Sequence, residues 1–156
     1  MFSIIAAIGK NRELGKDGQL VFHIKEDMKF FRRTTTGHTI IMGHRTWDSL
    51  PGRLPDRTNI VVSRHDVPGA DQTVTNLADY IKKHKDSPEE IFVIGGAMLY
   101  NEFLAVAQIL YLTEVDAPVP ADTFFPSFDK SAYSRSVIDA GTDGKLKYEF
   151  VKYEKL

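Results

Sequence analysis

The sequence lacks cysteine, long apolar runs and any large net charge. With no cysteine among its 156 residues, disulfide bonds and thiol chemistry are excluded, and a reducing cytoplasm is the expected location. No apolar run approaches the roughly 18 residues that a membrane-spanning helix needs, so no membrane association is expected. The formal charge of −1 gives no broad basic surface, which argues against binding to nucleic acid. These features predict a globular protein whose single domain covers residues 1–156.

Short β-branched runs alternate with amphipathic segments over most of the chain. The expected strands are residues 2–9, 39–43, 59–63, 91–96 and 109–115, and the expected helices are residues 24–35, 44–50, 77–85 and 97–104. Strands that alternate with helices are typical of a parallel sheet with right-handed crossovers. Near the C-terminus, SRSVID and KLKYEFVKYE flank AGTDG, which predicts an antiparallel hairpin with its turn at 140–144. We therefore expect an α/β fold with a mostly parallel sheet, about four helices and a hairpin at the sheet edge.

Asp27 is an acidic residue in an apolar position. In the first predicted helix it falls within the apolar arc formed by Ile24, Met28, Phe30 and Phe31. A carboxyl group in an apolar cleft has a raised pKa, which suits proton exchange near neutral pH. When ionised, it can also bind a ligand with two adjacent N–H groups, such as a 2-amino heterocycle. The alternative is a carboxylate that only meets the dipole at the start of the helix.

Glycines and basic residues follow several of the expected strands. Gly95 and Gly96 end one strand and open a helix, which allows the backbone to approach a pyrophosphate, although ordinary tight turns also use paired glycines. Two further strands are followed by the groups Gly43, His44, Arg45 and Thr46, and Ser63, Arg64 and His65. In a parallel sheet these residues meet at one edge, and their chemistry favours a dinucleotide with an extra phosphate, NADP rather than NAD. Each basic pair taken alone is compatible with a solvated surface.

Two loops complete the set of candidate binding elements. Residues 9–21 form a long glycine-containing loop between the first strand and the Asp27 helix, a position typical of a lid over a ligand. The segment LPGRLPDR holds Arg53 and Arg57 between prolines, which suits a bidentate carboxylate site but equally an ordinary charged turn. The five histidines are scattered, so no metal site is predicted.

Several segments resemble the dihydrofolate reductases in order and spacing over essentially the whole chain. They are SIIAAIG, LGKDGQL, the Asp27 helix, TIIMGHRTWDSLP, LPDRTNIVVSR, IFVIGGAMLY, LYLTEVDA and ADTFFP. The resemblance implies one α/β domain with an eight-stranded, mostly parallel sheet and four helices. It implies NADPH-dependent reduction of 7,8-dihydrofolate to tetrahydrofolate, a reaction of one-carbon metabolism. It also implies a cytoplasmic monomer that binds antifolates such as trimethoprim or methotrexate.

The resemblance further implies roles for individual residues. Asp27 would hold the pterin and promote protonation of N5, and Thr113 would hydrogen-bond Asp27 and, through water, the pterin amino group. The implied catalytic residues are Asp27, Leu20, Phe22, Thr113 and Tyr100. The implied substrate-binding residues are Ile5, Ala6, Asp27, Met28, Phe31, Leu50, Leu54, Arg57, Ile94 and Thr113. The implied cofactor-binding residues are Ala7, Leu14, Gly15, Leu20, Gly43, His44, Arg45, Thr46, Val62, Ser63, Arg64, Gly95, Gly96, Ala97, Met98, Leu99 and Tyr100.

The implied lid is residues 9–23, which would close over the nicotinamide and be bound by Asp122. Gly95 and Gly96 would be joined by the uncommon non-proline cis bond that the family uses at its pyrophosphate turn.

The chain departs from the family pattern at three places. Val21-Phe22 replaces the usual Pro-Trp, and Phe22 has no indole N–H to hold an ordered water near the pterin. His44 stands where arginine is common, which predicts a preference for NADPH that is less strict or depends on pH. Arg53 lies near the family's auxiliary carboxylate position without clearly matching it.

Three other functions are compatible with parts of the sequence. A pyrimidine reductase of flavin biosynthesis would share the fold and the cofactor, but it gives no reason for Asp27 and Arg57. A catalytically silent nucleotide-binding module would keep the cofactor site, and Val21-Phe22 leaves that alternative open. A doubly wound signalling receiver would need acidic residues at the strand ends, where this chain has glycines and basic residues.

Overall fold

Eleven strands and four α-helices make up the computed structural model, which describes residues 1–156. The strands are β1 (Phe2–Ile8), β2 (Glu13–Lys16), β3 (Gln19–Leu20), β4 (Thr39–Gly43), β5 (Thr58–Val62), β6 (Gln72–Val74), β7 (Ile91–Val93), β8 (Ala107–Val115), β9 (Thr123–Phe124), β10 (Tyr133–Thr142) and β11 (Lys147–Lys155). The helices are α1 (Lys25–Thr35), α2 (His44–Ser49), α3 (Leu77–His84) and α4 (Ala97–Leu104), with a 3₁₀ turn at Lys130–Ala132. None of the helices has the length and apolar character needed to cross a membrane.

Eight of the strands form one sheet in the order β10-β11-β8-β1-β7-β4-β5-β6. The pairs from β8 to β6 are parallel, whereas β11 is antiparallel to both β8 and β10. The predicted mostly parallel sheet with a C-terminal hairpin is therefore confirmed. A second sheet of three short antiparallel strands, β3-β2-β9, joins the loop after β1 to the loop after β8.

Helices cover both faces of the large sheet, and this explains the nearly unbroken apolar composition of its central strands. In β4, Ile40 and Met42 belong to one apolar cluster, and Ile41 belongs to the other. The first cluster includes Phe30 of α1, which stacks on Phe150 with ring centroids 4.4 Å apart. The second includes residues of α3 and α4. These contacts fix α1 on one side of the sheet and place its first turn at the edge where the parallel strands end.

The structure differs from the sequence-based prediction mainly in the short strands and at the hairpin. Strands β2, β3, β6 and β9 were not predicted, because segments of two to four residues carry too little periodicity. The predicted strand 91–96 ends at Val93, before Gly95, whose φ is +130°.

The hairpin turn, at residues 143–146, overlaps only the last two residues of the predicted AGTDG turn. Ala140, Gly141 and Thr142 are still paired within β10. Gly141 stands opposite Tyr148, whose hydroxyl would be 2.8 Å from a Cβ at that position. The turn is formed instead around Asp143, whose carboxylate accepts hydrogen bonds from the amides of Lys145 and Leu146.

Candidate active site

The carboxyl ends of the parallel strands meet along one edge of the large sheet. Because β4, β7, β1 and β8 are neighbours and parallel, the residues at the ends of these strands lie side by side. They include Gly43 at the end of β4, Ile94 after β7 and Thr113 near the end of β8. In open α/β sheets this edge is where ligands bind.

Asp27 lies in the first turn of α1 and faces this edge. Its Oδ1 accepts a hydrogen bond of 2.6 Å from the hydroxyl of Thr113, which is buried in β8. Asp27 takes part in none of the salt bridges of the chain. Burial raises the pKa of the Asp27 carboxyl, and the hydrogen bond from Thr113 opposes part of that rise. The site therefore holds a carboxyl group that takes up a proton more readily than an exposed aspartate.

Tyr100 lies close to this carboxyl group and has a fixed orientation. Its hydroxyl donates a 2.8 Å hydrogen bond to the carbonyl oxygen of Ile5, in the middle of β1. Burial, and secondly the negative charge of Asp27, raise the pKa of Tyr100. The hydroxyl therefore stays protonated at physiological pH, and its one proton is used in the bond to Ile5. Ala6 and Ala7, the next residues of β1, are half-buried.

Several apolar side chains that the sequence predicted at the substrate site remain exposed or half-buried. Met28 has 65% of its surface exposed and Leu20 has 66%, although both were expected to make apolar contacts. Phe31, Leu50 and Leu54 are half-buried on the same side of the sheet. Apolar walls around a buried polar group are typical of a small-molecule cleft. By contrast, Phe22 is buried in the core cluster that also contains Ile24 and Phe30.

Arg57 and Arg53, the two arginines of the proline-flanked loop, have different environments. Arg57 is buried; it donates from Nε to the carbonyl of Pro55 (2.9 Å) and from Nη1 to the hydroxyl of Thr35 (3.1 Å). Burial is the main cause of a lowered pKa of Arg57. Arg53 instead binds the carboxylate of Asp71 at 2.5 Å and the carbonyl of Arg57. Arg57 is thus held as a preorientated cation without a carboxylate partner, whereas Arg53 is already paired.

The turn between β7 and α4 has the properties of a phosphate-binding backbone. The peptide bond between Gly95 and Gly96 is cis, as the resemblance implied. A Cβ at Gly95 would lie 3.5 Å from the hydroxyl oxygen of Thr46, and the amide of Gly43 donates to the carbonyl of Gly95. Helix α4 starts at Ala97 without a side-chain cap, so its first N–H groups are open to an anion. This donor set fits a dinucleotide pyrophosphate.

Polar residues continue this edge beyond Thr46. The Nδ1 of His44 is 3.2 Å from the hydroxyl of Ser63, and its Nε2 is 3.6 Å from the Asp48 carboxylate. Arg45 follows His44 in the chain and Arg64 follows Ser63, and both arginines are exposed. Val62 is half-buried at the end of β5. These residues offer donors and positive charge for a further phosphate.

Helix α4 presents its residues to different surroundings. Met98 is 75% exposed and Ala97 is half-buried, whereas the side chain of Leu99 is buried in the core. The buried side chain of Leu99 packs in the core against Gly43, where a Cβ would lie 3.7 Å from its Cδ1.

The expected lid is a short hairpin fixed to the loop after β8. Gly15 of β2 pairs with Leu20 of β3. The Asp122 carboxylate accepts a 3.0 Å hydrogen bond from the amide of Asp17, and the amide of Asp122 donates to the carbonyl of Gly15. Leu14 is buried beneath this hairpin. The contact between Asp122 and the lid that the resemblance implied is present.

Glu13, at the start of β2, is a buried charged residue that sequence reasoning did not select. Its carboxylate is buried and is bound by the backbone amides of Asn11 and Val119. The second donor is 106 positions away in the chain, so no local pattern could have predicted the pair.

Comparison with known proteins agrees with these observations. A sequence model of the family described as "Dihydrofolate reductase" matches residues 1–155. The chain is 38% identical to the dihydrofolate reductase of Bacillus subtilis, covering 99% of this chain and 95% of that protein. It is 34% identical to the dihydrofolate reductase HdrB of Haloferax volcanii, with 99% and 83% covered.

The fold is also that of a solved dihydrofolate reductase. The structure of the Enterococcus faecalis enzyme, complexed with NADP(H) and RAB-propyl, superposes with a TM-score of 0.87 over 99% of this chain and 96% of that one, at 23% identity. This similarity supports the fold, and the family match with the closer relatives supports the function. The chain therefore belongs to the dihydrofolate reductase family, and it is an NADP-dependent oxidoreductase that reduces dihydrofolate.

Proposed function

We propose that the reduction of 7,8-dihydrofolate to 5,6,7,8-tetrahydrofolate in this protein depends on Asp27 as the group that binds the pterin and promotes its protonation. One observation carries the proposal: the Asp27 carboxyl group is half-buried, has no cationic partner and is bonded only to Thr113. Such a group loses much of its hydration without gaining an ion pair. A substrate with two adjacent N–H groups would supply the missing partners.

The Asp27 carboxylate would accept hydrogen bonds from the 2-amino group and N3 of the pterin. Thr113 would hold Oδ1, which directs Oδ2 towards the substrate. The raised pKa of Asp27 favours protonation of the complex between enzyme and substrate. N5 of the pterin gains a proton as a new C–H bond forms at C6. Bound NADPH supplies the hydride, and the overall reaction consumes one proton from solvent. Tyr100 and Ile5 would line the ring opposite Asp27.

The remainder of the substrate would extend along the apolar wall towards Arg57. The aminobenzoyl ring would pack on Met28, Phe31, Leu50 and Leu54. The guanidinium of Arg57, held by Pro55 and Thr35, would bind the α-carboxylate of the glutamate tail. Ala6 and Ile94 would contribute backbone and apolar contacts to the pterin.

The cofactor-binding roles follow from the donor set at the sheet edge. Gly95, Gly96 and Thr46 would hold the pyrophosphate, together with Gly43 and the first amides of α4. His44, Arg45, Ser63 and Arg64 would bind the 2′-phosphate. Ala7, Leu14, Gly15 and Leu20 would enclose the nicotinamide ring, with Phe22 behind them. The remaining cofactor contacts would come from Val62, Ala97, Met98, the backbone of Leu99 and Tyr100.

We also propose that residues 1–156 act as one domain, as a monomer in the cytoplasm, and that trimethoprim and methotrexate compete with the substrate. The catalytically silent alternative would require a broken catalytic site. Asp27 and Thr113 form the hydrogen bond that catalysis needs, which favours an active enzyme.

The replacement Asp27→Asn tests the role of the carboxyl group. An amide cannot exchange the proton, so we expect turnover near neutral pH to fall by about 10²- to 10⁴-fold and to recover partly as the pH falls and solvent acid protonates the substrate. The loss of NADPH absorbance on addition of dihydrofolate measures turnover, with NADH in a parallel assay. Asp79→Asn, which changes an exposed carboxylate in the first turn of α3, is the matched control. Equal turnover in Asp27→Asn and wild type at pH 7 would contradict the proposal.

The replacement Asp27→Asn should also stabilise the folded protein at neutral pH. Because burial raises the pKa of Asp27 above its value in the unfolded chain, the folded state binds this proton more tightly. The free energy of unfolding therefore falls as pH rises between the two pKa values, and the loss is complete above the folded value. Urea denaturation should show Asp27→Asn to be more stable than wild type at pH 8. The advantage should disappear below about pH 4, the ordinary pKa of aspartate. A difference in the free energy of unfolding that stays constant over this pH range would contradict the prediction.

Phe22→Trp tests whether a missing indole N–H has altered proton supply. If the added donor orders a water beside the pterin, turnover above neutral pH should rise and inhibition by trimethoprim should change by about 2- to 10-fold, the value of one hydrogen bond. The pH–rate profile and the inhibition constant are the measurements. Phe22→Leu, which changes volume without adding a donor, is the control. If Phe22→Trp leaves both quantities unchanged, the hypothesis is wrong.

We propose that His44, in place of an arginine, makes the preference for NADP over NAD less strict. The imidazole faces Ser63 and the carboxylate of Asp48, whereas an arginine would bring a permanent charge and more donors for the 2′-phosphate. Calorimetry should show that His44→Arg increases the ratio of NADP⁺ to NAD⁺ affinity and that Arg64→Gln decreases it. An unchanged ratio in His44→Arg would exclude the role of His44.

A further inference from the structure

Glu13 is a buried carboxylate for which the proposed chemistry has no use. It is 2% exposed, yet no lysine, arginine or histidine pairs with it. Oε1 accepts a 2.6 Å hydrogen bond from the amide of Asn11, and Oε2 accepts a 2.8 Å hydrogen bond from the amide of Val119. Burial would raise the pKa of Glu13, but the backbone amides, that of Val119 first, lower it overall. The residue is therefore an anion held only by main-chain donors.

Gly9 provides the space that this carboxylate occupies. A Cβ at Gly9 would lie 2.7 Å from Oε1 of Glu13 and 3.0 Å from the carbonyl oxygen of Ala117. The amide of Gly9 also donates to the carbonyl of Glu13, and the amide of Lys10 donates to Ala117. The end of β1, the start of the lid and the loop after β8 thus meet around one side chain.

The two loops joined by Glu13 are joined a second time at their other ends. Asp122, three positions after Val119, binds the amide of Asp17 at the tip of the lid. Glu13 projects from the lid to the loop, and Asp122 projects from the loop to the lid. Two carboxylates on opposite partners therefore fix the β2–β3 hairpin at its beginning and near its turn.

We propose that Glu13 is a positioning residue for hydride transfer: by bridging the amides of Asn11 and Val119, it holds the β2–β3 hairpin in the conformation that encloses the nicotinamide. This inference rests on the proposed function, because it assigns the hairpin to the nicotinamide end of the cofactor. Glu13 touches neither substrate nor cofactor. It acts through Leu14, Gly15 and Leu20, whose positions follow from where β2 starts.

Two replacements at position 13 separate the number of hydrogen bonds from the volume of the side chain. Glu13→Gln keeps the shape but has a single acceptor oxygen, so that its NH₂ group faces one of the two amides. Glu13→Leu loses both bonds. In single-turnover experiments we expect the hydride-transfer rate to fall roughly 10- to 100-fold in Glu13→Leu, as follows from the loss of hydrogen bonds to a charged group, with Glu13→Gln in between.

A binding comparison distinguishes positioning from general destabilisation. NADPH should bind the Glu13 variants more weakly than wild type, whereas adenosine 2′,5′-bisphosphate, which has no nicotinamide, should bind with unchanged affinity. Glu90→Gln is the matched control, because its carboxylate also accepts a hydrogen bond (from Ser3) but lies near the amino end of β7. This control should leave hydride transfer and both affinities unchanged.

The double replacement with Asp122→Ala tests whether the two carboxylates hold the same conformation. If they do, the combined loss in hydride-transfer rate is smaller than the product of the two single losses.

The inference is overturned if folded Glu13→Gln and Glu13→Leu transfer hydride within twofold of wild type. It is also overturned if the affinities for NADPH and for adenosine 2′,5′-bisphosphate fall equally in these variants. Wild-type protein that binds NADPH without reducing dihydrofolate would refute the proposed function alone, and the affinity comparison would still test Glu13.

Discussion

Desolvation of the Asp27 carboxyl group is the constraint on which the arrangement of this protein depends. The cost of burying it is offset within the chain only by the hydroxyl of Thr113. Its position requires α1 to lie on the sheet with its first turn at the carboxyl edge, and stacking of Phe30 on Phe150 secures that placement. The protein thus keeps one unfavourable group at the site where a ligand can satisfy it, and the two apolar clusters elsewhere provide the compensating stability.

Asp27 and Glu13 show how the same functional group acquires opposite properties. Glu13 is buried and Asp27 is half-buried, and neither has a cationic partner. For Asp27 burial dominates and the pKa rises, because a single hydroxyl cannot replace the lost hydration. For Glu13 backbone amides converge on both oxygens and lower the pKa despite burial. Fixed N–H donors on both oxygens therefore make Glu13 suited to holding two loops together, whereas Asp27, which has a single hydroxyl donor, is suited to proton exchange.

The cleft combines rigid and adjustable parts. Tyr100, Thr113 and the Gly95–Gly96 turn are attached to central strands and to α4, so that their positions are determined by the core. Residues 16–20, around the turn of the β2–β3 hairpin, are exposed. The hairpin is held by backbone amides that donate to the carboxylates of Asp122 and Glu13. A lid that is fixed by a few polar contacts can open at a modest cost in free energy, because no large apolar surface is uncovered.

The sequence by itself determined the order of the long elements, the mostly parallel sheet, and Asp27, the paired glycines and Arg57 as candidates, because periodicity, turn residues and local chemistry are written in neighbouring positions. Only the tertiary structure decided the contacts between distant segments. It engaged Arg53 with Asp71, buried the side chain of Leu99 and placed the hairpin turn at residues 143–146, whereas the hydrogen bond between Thr113 and Asp27 was implied by the family resemblance and is present. The tertiary structure also joined Glu13 to Val119, 106 positions away. Such pairs depend on how strands are ordered and how closely backbones approach, which no local pattern in the chain encodes.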